Sequence, residues 1–308
     1  MAQAFDKVWH KGLIHKLKPL FPKQYIKLLE SYLSGRFFRV KYENSYSKLK
    51  EIRSGVPQGS VLGPILFLLY TSDIPLSEKC ITATFADDTA ILSADKNYEV
   101  SIRNLQKAVS LIESWTVKWA LKLNELKSVH VDFTNKKLNH KPIFINGIEI
   151  PYSNAAKYLG MTLDTKLRWK AHVKKKREEL GLKYRQLYWL LGRNSSLSIN
   201  NKLLLYKQIL KPVWTYGIQL WGCTKKTHTT IIQRFQNKVL RNIVNAPWYF
   251  RNDDIHRELN INNVNEEIRK FALSHEQRLQ HHINSEAIQL LNSPDMRRLK
   301  RTKPLDLV

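Results

Sequence analysis

Strand-like runs are spread through the first half of this 308-residue chain and nearly disappear after Trp169. Alternation of apolar and polar residues gives way there to apolar residues recurring every three or four positions. The two periods demand different backbones. The change therefore predicts a mixed domain of strands and helices over residues 1–164 and a helical domain over 165–296, with the boundary near Asp164–Lys166. Residues 297–308 begin with the basic run Arg297 to Lys303 and are expected to be a poorly ordered tail. No internal repeat and no long low-complexity segment is evident.

Finer patterning gives the expected elements. A helix over Ala4–Leu20 would align Phe5, Val8, Leu13 and Leu17, with Pro19 and Pro22 as punctuation. A second helix over Lys23–Leu33 should stop at Gly35. Arg36–Tyr42 reads as a strand returning through Lys48–Arg53. Gly55–Gly63 reads as a loop and Pro64–Thr71 as an apolar helix. Two β-rich runs, Ile81–Phe85 and Thr89–Leu92, bracket a tight turn. An amphipathic helix over 98–119 follows, then a strand over Ser128–Phe133, an Asn-Gly hairpin within Ile143–Ile150 and a short strand over Tyr158–Leu163. Helices are expected at 169–192, 198–210, 227–244 and 263–283.

The formal charge of +25 narrows the partner class. Residues 165–308 hold 28 Lys and Arg against 11 Asp and Glu, while residues 1–164 hold 23 against 15. A basic excess of this size suits a polyanion, nucleic acid above all. A merely soluble basic protein is the plain alternative, and an acidic membrane surface finds no lipidation motif to support it. No run of apolar residues is long enough to cross a bilayer, and Met1–Leu20 lacks the apolar core of a secretory signal, so a non-secreted, intracellular protein is expected. Two cysteines, Cys80 and Cys223, exclude a disulfide framework and a Cys-rich zinc finger. His281 and His282 have no paired cysteines and do not suggest zinc.

Three stretches carry chemistry. Asp87 and Asp88 adjoin between the two β runs, and adjacent carboxylates repel unless a cation offsets them. Their hard oxygen donors suit Mg²⁺, although an Asp pair by itself is most often a solvated turn. About thirty residues upstream, Gly55–Pro64 contains three glycines and two prolines before and within a helix start, which lets backbone approach a ligand closely. Gln58 there offers an amide to a nucleotide sugar, and an ordinary structural loop would look much the same. Finally, Lys166, Arg168, Lys170, Lys174, Lys175, Lys176 and Arg177 open the helical region densely enough to follow a phosphate backbone. Trp169, Tyr184, Tyr188 and Trp189 are interleaved, and their helical spacing favours core packing over base stacking for most of them.

Taken in order, AFDKVWH, GVPQGSVLGPILFLLYTSDIP, FADDTAIL, WALKLNELKS and KYLGMTLD resemble the reverse transcriptases of non-LTR retrotransposons, in the jockey-like group. LKPVWTYGIQLWG and NAPWYF extend the likeness through the helical half. The resemblance implies an α+β polymerase palm, an antiparallel sheet with helices on one face, followed by an all-α thumb. It implies an RNA-directed DNA polymerase using two Mg²⁺ ions, an RNA template, a DNA primer and dNTPs, working in the nucleus or cytoplasm. By position, Asp87 and Asp88 match the metal-binding pair, with Asp87 the more critical. Phe5 matches the aromatic gate against a 2′-hydroxyl, and Gln58 and Gly59 match the loop lining the incoming nucleotide. Lys127 matches the lysine that assists the leaving pyrophosphate, and Tyr158, Leu159 and Gly160 match the primer grip. The pattern also expects a third metal-binding aspartate six residues before Asp6, ahead of Met1, with a fingers segment and an endonuclease domain further upstream. The chain as given is accordingly expected to be catalytically incomplete. A non-catalytic nucleic-acid-binding remnant is the alternative reading, and a splicing-type maturase is disfavoured by the thumb pattern.

Overall fold

Helices at amphipathic spacing frame the first of two units. The structure, a computed structural model, describes residues 4–292, so the tail expected at 297–308 lies outside the described residues. The first unit takes the described residues up to His130 together with Asn139–Ser153. The second takes Val131–Leu138 and the described residues from Asn154 onward.

In the first unit, α1 (His10–Leu17), α2 (Lys23–Leu33), α3 (Leu62–Thr71) and α4 (Tyr98–Lys118) converge on a core of Val8, Leu13, Leu17, Phe67, Tyr70, Trp115 and Trp119. Lys16 crosses this core. Its ammonium lies 3.7 Å from the Trp119 ring centre and pairs with Asp73 at 2.5 Å. Burial holds its pKa below the usual lysine range, and Asp73 works against that shift.

The continuous helix expected over Ala4–Leu20 is broken. Ala4–Lys7 is one 3₁₀ turn, and Val8–Trp9 is extended against Ser54. Gly55 N–H donates to the Val8 carbonyl at 2.8 Å and Val56 N–H to the Phe5 carbonyl at 2.9 Å. A carbonyl engaged this way by a neighbouring segment is diverted from a helical i+4 bond.

The strands are short. The expected strand Arg36–Tyr42 divides into β1 (Phe37–Phe38) and β2 (Lys41–Tyr42). They pair with β4 (Lys50–Glu51) and β3 (Ser45–Tyr46) respectively. Ser47 causes the split, because its hydroxyl accepts the Val40 N–H at 2.8 Å where a ladder bond would continue. β5 (Cys80–Phe85) and β6 (Asp88–Ser93) form a full hairpin running from Cys80–Ser93 to Phe85–Asp88, packed on α4. β7 (Phe144–Ile145) and β8 (Ile148–Glu149) close through Asn146-Gly147, both at positive φ, as the hairpin signal requires. The strand expected over Ser128–Phe133 is absent apart from a bridge between His130 and Tyr152. Asn124 turns that segment instead: its side chain accepts the Lys127 N–H and its carbonyl accepts the Ser128 N–H, both at 3.0 Å.

In the second unit the residues expected as one strand, Tyr158–Leu163, form a hairpin of β9 (Ala155–Tyr158) and β10 (Met161–Asp164). This hairpin precedes the boundary expected near Asp164–Lys166, yet it packs with the helices that follow. Those helices are α5 (Lys170–Gln186), α6 (Tyr188–Leu191), α7 (Ile199–Leu205), α8 (Lys211–Thr215), α9 (Ile218–Trp221), α10 (Lys226–Ile243), α11 (Asn252–Glu258), α12 (Val264–Gln280) and α13 (Ser285–Gln289). Leu187 divides the helix expected over 169–192, and the one expected over 198–210 ends in a π-helical turn, Tyr206–Leu210. Trp214, Trp221, Tyr206, Leu180, Leu210 and Val239 are fully or almost fully buried in its core.

The chain is thus α+β. Among the described residues its strands pair only in twos, giving five antiparallel ladders rather than one broad sheet. Each ladder is closed locally by its own turn, except β1–β4, which brackets the β2–β3 hairpin.

Candidate functional site

The β5–β6 hairpin ends in Phe85-Ala86-Asp87-Asp88. Phe85 pairs with Asp88, so the two turn residues are Ala86 and Asp87, and Asp88 is the first residue of β6. Ala86 carries a φ of +51°, a left-handed conformation that L residues adopt at a cost. Asp88 is exposed and Asp87 half-buried. Two carboxylates therefore sit at the closed end of a fully paired hairpin. Among the described residues no group of three or more His, Cys, Asp or Glu gathers at one point. A pair is still a suitable set for Mg²⁺, which commonly takes one or two protein carboxylates and completes its shell with water and substrate phosphate.

The glycine loop builds a second cluster within the same unit. Gly55, at φ +91°, lies so close to Asp6 that a Cβ would fall 2.8 Å from the Asp6 Cα. The close approach lets Gln58 Nε2 donate to Asp6 Oδ1 at 2.8 Å and Ser54 Oγ donate to the Asp6 carbonyl at 3.0 Å. Phe5 stacks on Phe67 with ring centres 4.4 Å apart. Asp6 and Gln58 are therefore joined at the surface, next in sequence to Phe5, whose ring packs inward on Phe67. Gly59 faces open space, and only its φ of +83° calls for glycine. Lys127 is exposed, with its backbone held by Asn124.

Tyr158, Leu159 and Gly160 belong to the second unit. Leu159 (φ +45°) and Gly160 (φ +75°) form the turn between β9 and β10. Tyr216 fixes this turn: its hydroxyl donates to the Leu159 carbonyl at 2.7 Å, and its ring would meet a Cβ on Gly160 at 3.1 Å. Sequence reasoning missed Tyr216, because a lone tyrosine 57 residues downstream carries no local signal.

The basic run is spread by its own geometry. Arg168, Lys170, Lys174 and Lys175 are exposed and Lys166 is half-buried. Lys176 pairs with Glu179 at 3.1 Å, and Arg177 lies over the Phe235 ring at 4.7 Å. Asp164, also missed, organises the start of the run. Its carboxylate accepts the backbone N–H groups of Lys166, Arg168 and Trp169 at 3.2, 3.1 and 2.9 Å. That arrangement stabilises a loop in which Leu167 and Trp169 both hold positive φ.

Residues 1–163 match the family model described as reverse transcriptase (RNA-dependent DNA polymerase). Over 311 residues, 99% of the chain, it is 41% identical to the probable RNA-directed DNA polymerase from transposon X-element of Drosophila melanogaster. It is 40% identical to that from transposon BS of the same fly, and 37% identical to the RNA-directed DNA polymerase from mobile element jockey. The chain spans about a third of the length of these relatives, 34% for the first two and 35% for jockey. The chain belongs to the reverse transcriptase family and is similar over nearly its whole length to the polymerases of transposon X-element and mobile element jockey.

Proposed function

We propose that this chain supplies the palm and thumb of an RNA-directed DNA polymerase that joins a deoxynucleotide to a primer 3′-hydroxyl on an RNA template. One observation carries the reading: two adjacent carboxylates are held at the closed end of a hairpin, in a chain whose first 163 residues match the reverse transcriptase family. Asp87 and Asp88 hold Mg²⁺. When bound, the metal supplies charge that stabilises the attacking and leaving oxygens of nucleotidyl transfer.

The remaining roles fall to the chain's own groups. Gln58 and Gly59 border the nucleotide. Phe5, immobilised on Phe67, excludes a 2′-hydroxyl by bulk. Lys127 places a cation near the departing pyrophosphate, where negative charge grows in the transition state. The Tyr158–Gly160 turn supports the primer end, and the cations at 166–177 hold the template–primer backbone. The work takes place inside the cell, in nucleus or cytoplasm. Among the described residues no helix is long and apolar enough to cross a membrane.

Fe²⁺ in place of Mg²⁺, with ascorbate and peroxide, should cut the backbone near residue 87, and Asp87→Asn should abolish that cut. For activity, the chain is fused behind the corresponding upstream segment of the jockey relative and given oligo(dT) on poly(rA). Extension should fall at least about a hundredfold in Asp87→Asn, on the scale of losing a key electrostatic group. Template–primer binding with no extension by the fusion would replace this reading with the non-catalytic remnant.

A further inference from the structure

The second unit carries a cationic recess that the polymerase reading does not use. Arg234, Lys238 and Arg241 follow each other on α10 at four- and three-residue spacing, which places them on one helix face. Arg193, after α6, and Asn252, at the start of α11, complete a shallow recess of about 390 Å³. Among the described residues no carboxylate lines it, and Arg193, Arg234 and Lys238 form no ion pair. Like charges gathered without counter-charge repel, so the arrangement favours an anionic occupant.

Arg241 shows what lies beside the recess. Its guanidinium donates to the carbonyls of Pro247 at 2.5 Å and Phe250 at 2.7 Å, and to Asn252 Oδ1 at 3.2 Å. These bonds staple the 247–250 loop to the recess wall. The loop displays Trp248 at 90% exposure and Tyr249 at 68%, with their ring centres 5.9 Å apart. Such rings in water forgo a large burial gain, and the staple holds them there at little further entropic cost.

Cations spaced along a helix next to presented aromatic faces match an unpaired nucleic-acid strand. Phosphates meet the cations, and bases freed from a duplex stack on the rings. In a duplex the base faces are already stacked on one another. We propose that α10 and the 247–250 loop form a site for single-stranded nucleic acid, with phosphates on Arg193, Arg234 and Lys238 and bases on Trp248 and Tyr249. The site requires neither Asp87, nor metal, nor a primer terminus.

The test uses the whole chain in EDTA, with a labelled oligouridylate of about 12 nucleotides, within the usual single-strand site sizes. A duplex of the same length serves for comparison. Single-strand binding should quench tryptophan emission. Trp248→Ala and Tyr249→Ala should each weaken it by at least about fivefold, the lower end for one lost stacking platform. Duplex affinity should hold, and Trp248→Phe should restore most of the loss. Arg234→Ala and Lys238→Ala should each reduce the slope of log K against log salt by about 0.7. Unchanged single-strand affinity in both ring variants overturns the proposal, as does equal loss of single-strand and duplex binding. Intact RNA binding with loss of a protein partner would assign the loop to that partner instead. The Asp87→Asn experiments leave this assay untouched, so the two readings fail separately.

Discussion

Ala86 and Leu159 are L residues held at left-handed φ in two hairpin turns, beside Asp87 and Gly160 respectively. Each conformation costs about 1–2 kcal/mol for an ordinary side chain, so the surrounding contacts must over-determine it. At Gly160 those contacts are explicit. A methyl group there would combine φ +75° with a 3.1 Å approach to the Tyr216 ring. Gly160→Ala should therefore lower unfolding free energy by roughly 1–2 kcal/mol, seen as a lower urea midpoint at unchanged slope. Tyr216→Phe should cost only about 0.5–1 kcal/mol, one partly exposed hydrogen bond to Leu159. Equal stability of Gly160→Ala and wild type would mean that this turn relaxes freely. Glycine tolerates left-handed backbone, yet the alternating pattern set Gly160 inside one expected strand, Tyr158–Leu163, rather than in a turn. Leu159 and Ala86 were not legible either, because their side chains give no hint of a conformation that the neighbouring structure imposes. The same blindness placed the turn at Asp87-Asp88, one residue later than the pair Ala86-Asp87 that makes it.

Elements whose apolar face meets a single core were read well. α2 begins and ends where expected, and α4, α10 and α12 lie close to their expected spans. Elements that depend on distant partners were not. Val8–Trp9 leaves its helix for Ser54–Val56, and Ser128–Phe133 loses its strand to the Asn124 turn. α5 shows such a long-range dependence within one helix. His172 on α5 is buried, with Nδ1 accepting the Thr162 N–H of β10 at 3.3 Å. Because Nδ1 accepts, the neutral ring carries its proton on Nε2, which is buried without a partner, and a second proton would have to sit on Nδ1, facing the Thr162 N–H. Burial, reinforced by Lys176 and Lys175 and opposed by Glu179, lowers its pKa to about 4. In the unfolded chain the imidazole titrates near its ordinary 6.5. Acid therefore protonates the unfolded state first. The stability that neutral His172 contributes is fully present above about pH 6.5 and is lost as pH falls toward 4, by roughly 3 kcal/mol in all. His172→Asn keeps an acceptor for Thr162 and removes the titration. Its urea midpoint should be lower at neutral pH and should fall less steeply between pH 6.5 and 4. An unchanged pH profile would show that another group governs acid stability.

At the scale of the whole chain, charge is distributed more informatively than shape. The later half, 165–308, has 28 basic against 11 acidic residues, and its unit supplies both the α5 run and the α10 recess. A counted charge contributes to polyanion binding only if it is free to neutralise phosphate, which composition does not reveal. Lys174 and Lys175 are exposed and form no ion pair among the described residues. Lys176 and Arg177 are already engaged with Glu179 and Phe235. Duplex binding by the chain should weaken linearly in log K as log salt rises. Replacing both Lys174 and Lys175 with alanine should reduce that slope by about 2, near 0.9 per lost phosphate contact, without altering preference among duplex sequences. The matching change at Lys176 and Arg177 should reduce the slope less and lower the unfolding midpoint more, because those side chains also pack. Anisotropy titrations across a salt series, with urea melts of the same variants, separate the two pairs. Equal slopes for all variants would mean that duplex lies elsewhere on the chain and that the density of this run reflects solvation alone.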